Sequence, residues 1–185
     1  MNSLNNRRGN WLLHLTNIYR QLWEEHIMWT RSFIISSTDN LGDLEYVTQR
    51  LLRNPEDFAV ALNQFYGPEA AAEFSRLLTD HLLIAADIVN AGIKGSPVSD
   101  IQEMQKRFYQ NADEIAAFLS HINPYWNQEI WRGMLYNHLG LVELEAGLRV
   151  SRQYALDVDL YDEMENQALR MADYMVEGII KQFKL

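Results

Sequence analysis

Apolar residues recur at intervals of three and four along almost the whole chain, and no stretch alternates apolar with polar over the length of a strand. That pattern predicts an all-α protein. Turn residues gather where the periodicity fails. "TDNLGD" closes a first helix over roughly residues 11–37 and leaves Asp43 to cap the second. Inside that second segment, "RNPEDF" offers Asn54 as a cap with Pro55 at the first helical position, so an interruption is expected there. "FYGPEA" predicts a turn at Gly67 and a fresh start at Pro68. The third helix then runs to "NAGIKGSP", after which Ser96 with Pro97, or Ser99 with Gln102, starts the fourth. "HINPYWNQ" breaks at Asn123 and Pro124; a fifth helix spans about residues 127–152 and a sixth about 158–183. Joints this short favour antiparallel neighbours, hence an up-and-down antiparallel helical bundle of five to six helices around a four-helix-bundle core. One domain over 1–185 is expected, with residues 1–10 flexible.

A short motif recurs within this pattern. "LWEEHI", "LLTDHL" and "MLYNHL" each place a histidine four positions after a leucine or methionine and before an isoleucine or leucine, once on the first, third and fifth helices. Ancestral duplication is one reading of it. Helical projection at about 100° per residue puts each histidine inside an apolar stripe. Leu15, Tyr19, Leu22, Trp29 and Phe33 surround His26; Phe74, Leu77, Leu78, Ile84, Ala85 and Ile88 surround His81; Trp131, Met134, Leu135, Leu141 and Val142 surround His138. On the sixth helix the same projection centres Glu165 among Val158, Tyr161, Ala168, Leu169, Ala172, Val176 and Ile179.

Depth agrees between helices. His26 lies 14 residues before Asn40, His81 14 before Gly95 and His138 14 before Arg152. At about 1.5 Å per residue each stands roughly 20 Å from a bundle end, and Glu165 is about as far beyond the last joint. Asn54, 14 residues after Asn40, and Asn111, 14 after Pro97, fall at the same level. A single polar layer is therefore expected across the interior.

Three imidazoles and one carboxylate in such a layer suit a transition metal, iron, manganese or zinc, with His26, His81, His138 and Glu165 as ligands. Glu145, seven residues beyond His138, Tyr161 and Asn111 are candidates to support them. An open coordination position would allow metal-dependent redox or hydrolytic chemistry. The alternative is a non-enzymatic structural or interaction protein whose His/Glu layer is a metal-free hydrogen-bond network that fixes helix register. A ligand sensor would instead need an apolar pocket beside Trp23, Trp29 and Phe33. Glu145 with Arg149 also reads as an ordinary i,i+4 pair. His14 and His121 lie near helix ends, where solvated or capping roles are expected. Glu24, Glu25, Asp80, Asn137 and Arg31 project off the stripes, and no serine with a nearby base stands out as a nucleophile.

Composition narrows the partners. Sixteen basic residues against 25 acidic ones give a formal charge of -9, without a local basic block, which argues against a nucleic-acid partner. Cysteine is absent, so there is no disulfide-linked partner and no thiolate ligand. The longest apolar run, "LLIAADIVNAGI", is about half the length of a membrane span. The expectation is a cytoplasmic protein with no membrane contact, and a homodimer stays open.

The runs "LWEEHIMWTRSFII", "VTQRLLRNPEDFA", "LLTDHLLIAADIV", "NADEIAAFLSHINPYW", "MLYNHL" and "YDEMENQALRMAD" resemble those of a small bacterial helical-bundle family without an assigned activity, whose members often carry the label "acetylglutamate kinase". The resemblance covers about Gln21 to Gln182. It implies a bundle and not a kinase, because amino-acid kinases are α/β proteins with glycine-rich phosphate loops, and "GIKGS" lacks the strand such a loop follows. The arrangement is also loosely similar to ferritin-like metal-binding bundles, which implies a ferritin-like core. It departs from them at the ligands. The residues three before the five histidines are Trp11, Trp23, Leu78, Phe118 and Leu135, so the Glu-x-x-His pair of di-iron bundles is missing. A mononuclear or structural site fits the ligand count better.

Overall fold

Five helices account for the fold: α1 (Asn2–Thr38), α2 (Leu44–Lys94), α3 (Val98–Ile122), α4 (Gln128–Val150) and α5 (Tyr154–Phe183). The structure, a computed structural model, describes the backbone of residues 2–185 and the side chains of residues 11–185; the expected flexibility of residues 1–10 lies outside the fully described part. Among the described residues there is no strand, and the protein is all-α. No helix in this part is long and apolar enough to cross a membrane.

The helix ends follow local chemistry. The Asn127 carboxamide oxygen accepts from the backbone N–H groups of Glu129 and Ile130, which caps α4. Gly95, at φ 65°, closes α2 with its N–H on the carbonyls of Ala91 and Gly92. Asp43 occupies the cap position before α2 but caps no backbone group; its carboxylate accepts from the Ser36 hydroxyl at 2.8 Å. Pro55 does not interrupt the chain as expected. Helix continues through Asn54 and Pro55, so Asn54 stands mid-helix and fully buried, its side chain free to reach across to α1.

The expected turn at Gly67 is present in another form. Helix runs up to Gly67 from both sides, yet Gly67 itself is a kink at φ 79°, ψ 172°, a region open essentially to glycine alone. The two arms of α2 fold back on each other there. A straight helix would hold Asn54 and His81 about 40 Å apart, whereas both belong to the layer around His26. The chain therefore forms three antiparallel hairpins: α1 with the first arm of α2, the second arm with α3, and α4 with α5.

Neighbouring helices pack in chain order, and α5 closes the bundle against α1. At one end Tyr66 accepts from the Asn123 amide and donates to Gln182, while Trp126 is buried with its Nε1–H on the carbonyls of Tyr174 and Met175. Trp131 is equally buried, edge-on to Trp126 at 6.1 Å. These tryptophans fill one end of the core. At the opposite end Arg149 pairs with Asp39, and the Ser37 hydroxyl donates to Asn90.

Candidate metal centre

Each hairpin carries the same device. On α1, His26 Nδ1 lies 3.0 Å from the Asn54 carboxamide oxygen, and the Asn54 amide nitrogen donates to the carbonyl of Leu22 at 3.0 Å. On the second arm of α2, His81 Nδ1 lies 2.9 Å from the Asn111 oxygen, and Asn111 donates to the carbonyl of Leu77. On α4, His138 Nδ1 lies 3.2 Å from the Gln167 oxygen, and Gln167 donates to the carbonyl of Met134. In every case the amide spans from a histidine to the carbonyl four residues before it, one turn back on the same helix.

This geometry fixes the protonation pattern. A backbone carbonyl only accepts, so the NH₂ of each amide faces it and the amide oxygen faces the imidazole. Each Nδ1 must then carry the hydrogen, and each Nε2 the lone pair. The rings converge: centroids are 5.4 Å apart for His26 and His138, and 6.2 Å for the two pairs with His81. One nitrogen from each histidine lies within 4.8 Å of the other two.

All three side chains are at most 3 % exposed. Burial opposes the imidazolium and lowers His26 to about 4 despite its bond to Asn54. It lowers His81 to about 3, with His26 adding to the effect, and His138 is pushed well down by burial and by both neighbours. The centre is thus three neutral imidazoles at ordinary pH. His138 Nε2 is buried without a hydrogen-bond partner. Around it stand Trp23, edge-on to His26 and His138, and Phe108, 4.6 Å from His81.

Glu165 is not part of this group. It is half-buried, and among the described residues the histidine cluster takes in no carboxylate. The buried stripe of α5 runs through Met164, Gln167, Ala168, Met171, Ala172, Met175 and Ile179, turned by about 70° from the one centred on Glu165. Tyr161 and Leu169 consequently sit at the margin and Val158 is exposed, while Gln167 faces His138. Gln167 was missed. The signal for it was the spacing, since the histidine-to-amide intervals are 28, 30 and 29 residues.

Glu145 is fully buried but serves a second cluster, about two turns along α4 from His138. Its Oε1 accepts from Arg31 at 2.5 Å, and the same guanidinium makes a two-pronged pair with Asp157, also fully buried. Burial pushes the Glu145 carboxyl up to about 7, with Arg31 pulling the other way. Arg31 therefore faces inward, contrary to its position off the stripe, and lies over the Tyr161 ring at 5.2 Å. Tyr161 thus belongs with Arg31 and not with the histidines. Arg149 pairs with Asp157 and Asp39, whereas Glu145 pairs with Arg31, so the expected i,i+4 pair of Glu145 with Arg149 does not form.

His14 and His121 are exposed, as are Glu24 and Asn137; Glu25 pairs with Arg50 and Asp80 with Arg76. Trp29 is covered by the Arg50 guanidinium at 5.1 Å. An open groove of about 450 Å³ between the second arm of α2 and α3 is lined by Asp80, Asp87, Arg107, Glu114 and by Asn111 itself. No protein-family model matches the chain, and no curated protein or solved structure is significantly similar to it. Any functional reading therefore rests on the geometry.

Proposed function

We propose that His26, His81 and His138 bind one divalent transition metal ion through Nε2. The observation that supports this is the repeated amide clamp, which engages all three Nδ1 atoms and leaves a lone-pair nitrogen on each ring of a buried cluster whose donor atoms lie within 4.8 Å of one another. A metal-free network would need a proton between the rings, and burial opposes that charge. A cation takes all three lone pairs at once.

The donor set favours zinc. Imidazole suits zinc, copper and iron, whereas manganese prefers oxygen ligands, and the carboxylate that would have supported it is elsewhere. Three histidines with a further position open are a zinc arrangement seen where the metal polarises a bound water. The clamps act as supports of the kind that hold ligating histidines in one tautomer. They also tie each hairpin together, so register is fixed by the same bonds.

Elemental analysis of protein purified without a histidine tag and loaded with zinc tests the reading. One zinc per chain is expected, lost in a His81→Ala, His138→Ala double variant whose helicity by circular dichroism is retained. Substoichiometric zinc in the parent, or unchanged zinc in the folded double variant, overturns it.

A further inference from the structure

We infer that the metal's remaining position takes a small monovalent anion, hydroxide or a ligand of like size, held by the indole N–H of Trp23. The inference rests on the proposed metal site. Two independent observations lead to it.

The first is charge. Three neutral imidazoles and three neutral amides would surround the ion, and among the described residues no carboxylate joins the group. The nearest buried carboxylates identified, Glu145 and Asp157, are engaged by Arg31. A divalent charge left uncompensated in an interior at most 3 % exposed is costly. An anionic fourth ligand lowers the net charge to +1 without any change in the protein.

The second is an orphaned donor. Trp23 is 3 % exposed and its Nε1–H has no acceptor, although a buried indole N–H usually finds one. Its ring stands 5.5 Å from His26 and 6.4 Å from His138, the histidine whose Nε2 is also without a partner. A buried indole with an unsatisfied N–H therefore packs edge-on against the histidine whose Nε2 is itself unsatisfied. A metal-bound anion there accepts from Trp23 while the metal takes the histidine nitrogens.

Cobalt-substituted protein supplies the test, with azide as the probe. Azide should shift the visible cobalt spectrum saturably, and Trp23→Phe should weaken azide at least tenfold while leaving cobalt affinity within about threefold. Absence of any cobalt spectrum overturns the metal reading itself. A cobalt spectrum that azide does not change, or azide binding equal in Trp23→Phe, overturns only the anion inference; the indole is then simply packed against its neighbours. Should Trp23→Phe fail to fold, the parent alone still decides, because a bound hydroxide predicts a spectral titration with pH that azide suppresses.

Discussion

His26, His81 and His138 are set by three amides, and each amide works through two bonds at once. Removing the Asn111 side chain strands the buried Nδ1–H of His81, a loss of about 1–3 kcal/mol. Asn111→Ala should therefore lower the urea midpoint of metal-free protein, and should weaken zinc by about 10–100-fold as the ring loses its orientation; an unchanged zinc affinity would count against the clamp. Protonation acts on the same residues. Their folded values lie below the ordinary imidazole value of about 6.5, near 4 for His26 and 3 for His81. The unfolded chain then binds more protons, so stability is full above about 6.5 and falls as pH drops toward 4, by up to about 1.4 kcal/mol per pH unit for each histidine. Glu145 opposes this: its value is raised to about 7, so its contribution is lost as pH rises toward and through 7. Three imidazoles outweigh one carboxyl, and urea midpoints measured at pH 7 and pH 5 on metal-free protein should show a net loss at the lower pH. At this scale the sequence was informative about the histidines and Asn111, whose stripes are broad and apolar. It misplaced Glu165, because Val158, Tyr161 and Leu169 are apolar residues outside the buried stripe of α5 that drew the projected stripe toward it. It missed Gln167, since nothing local to α5 marks an amide that bonds to another helix.

Helices were legible where turn chemistry is strong. Asn127 caps α4 and Gly95 ends α2 as the residue types imply. Asn54–Pro55 misled, since a proline that starts a helix and one tolerated inside it look alike in sequence; only the bond to His26 distinguishes them. One glycine carries an element-scale consequence. A Cβ on Gly178 would stand 2.0 Å from Trp126 Nε1, so α5 approaches that indole as closely as it does only because the position is bare. Gly178→Ala should cost about 1–3 kcal/mol through overpacking, read as a lower melting temperature with unchanged helicity. Arg31 is the other element-scale surprise: projected from α1 alone it looks solvated, but α4 and α5 bring Glu145 and Asp157 to it.

Across the whole molecule, the three histidines come from three hairpins, so the centre exists only when all three have docked. Bound metal should raise the urea midpoint of the entire chain in a single transition, because it binds the assembled state and not the parts. A rise confined to one phase of a two-phase unfolding curve would contradict this. The fold-back at Gly67 has a further consequence. A side chain there is strained at φ 79°, and relief is available by straightening α2 into one rod of about 75 Å. The first hairpin would then reach over to a second molecule while the other two stay behind. Gly67→Leu should accordingly produce a domain-swapped dimer by light scattering, in which His26 of each copy completes the cluster of the other.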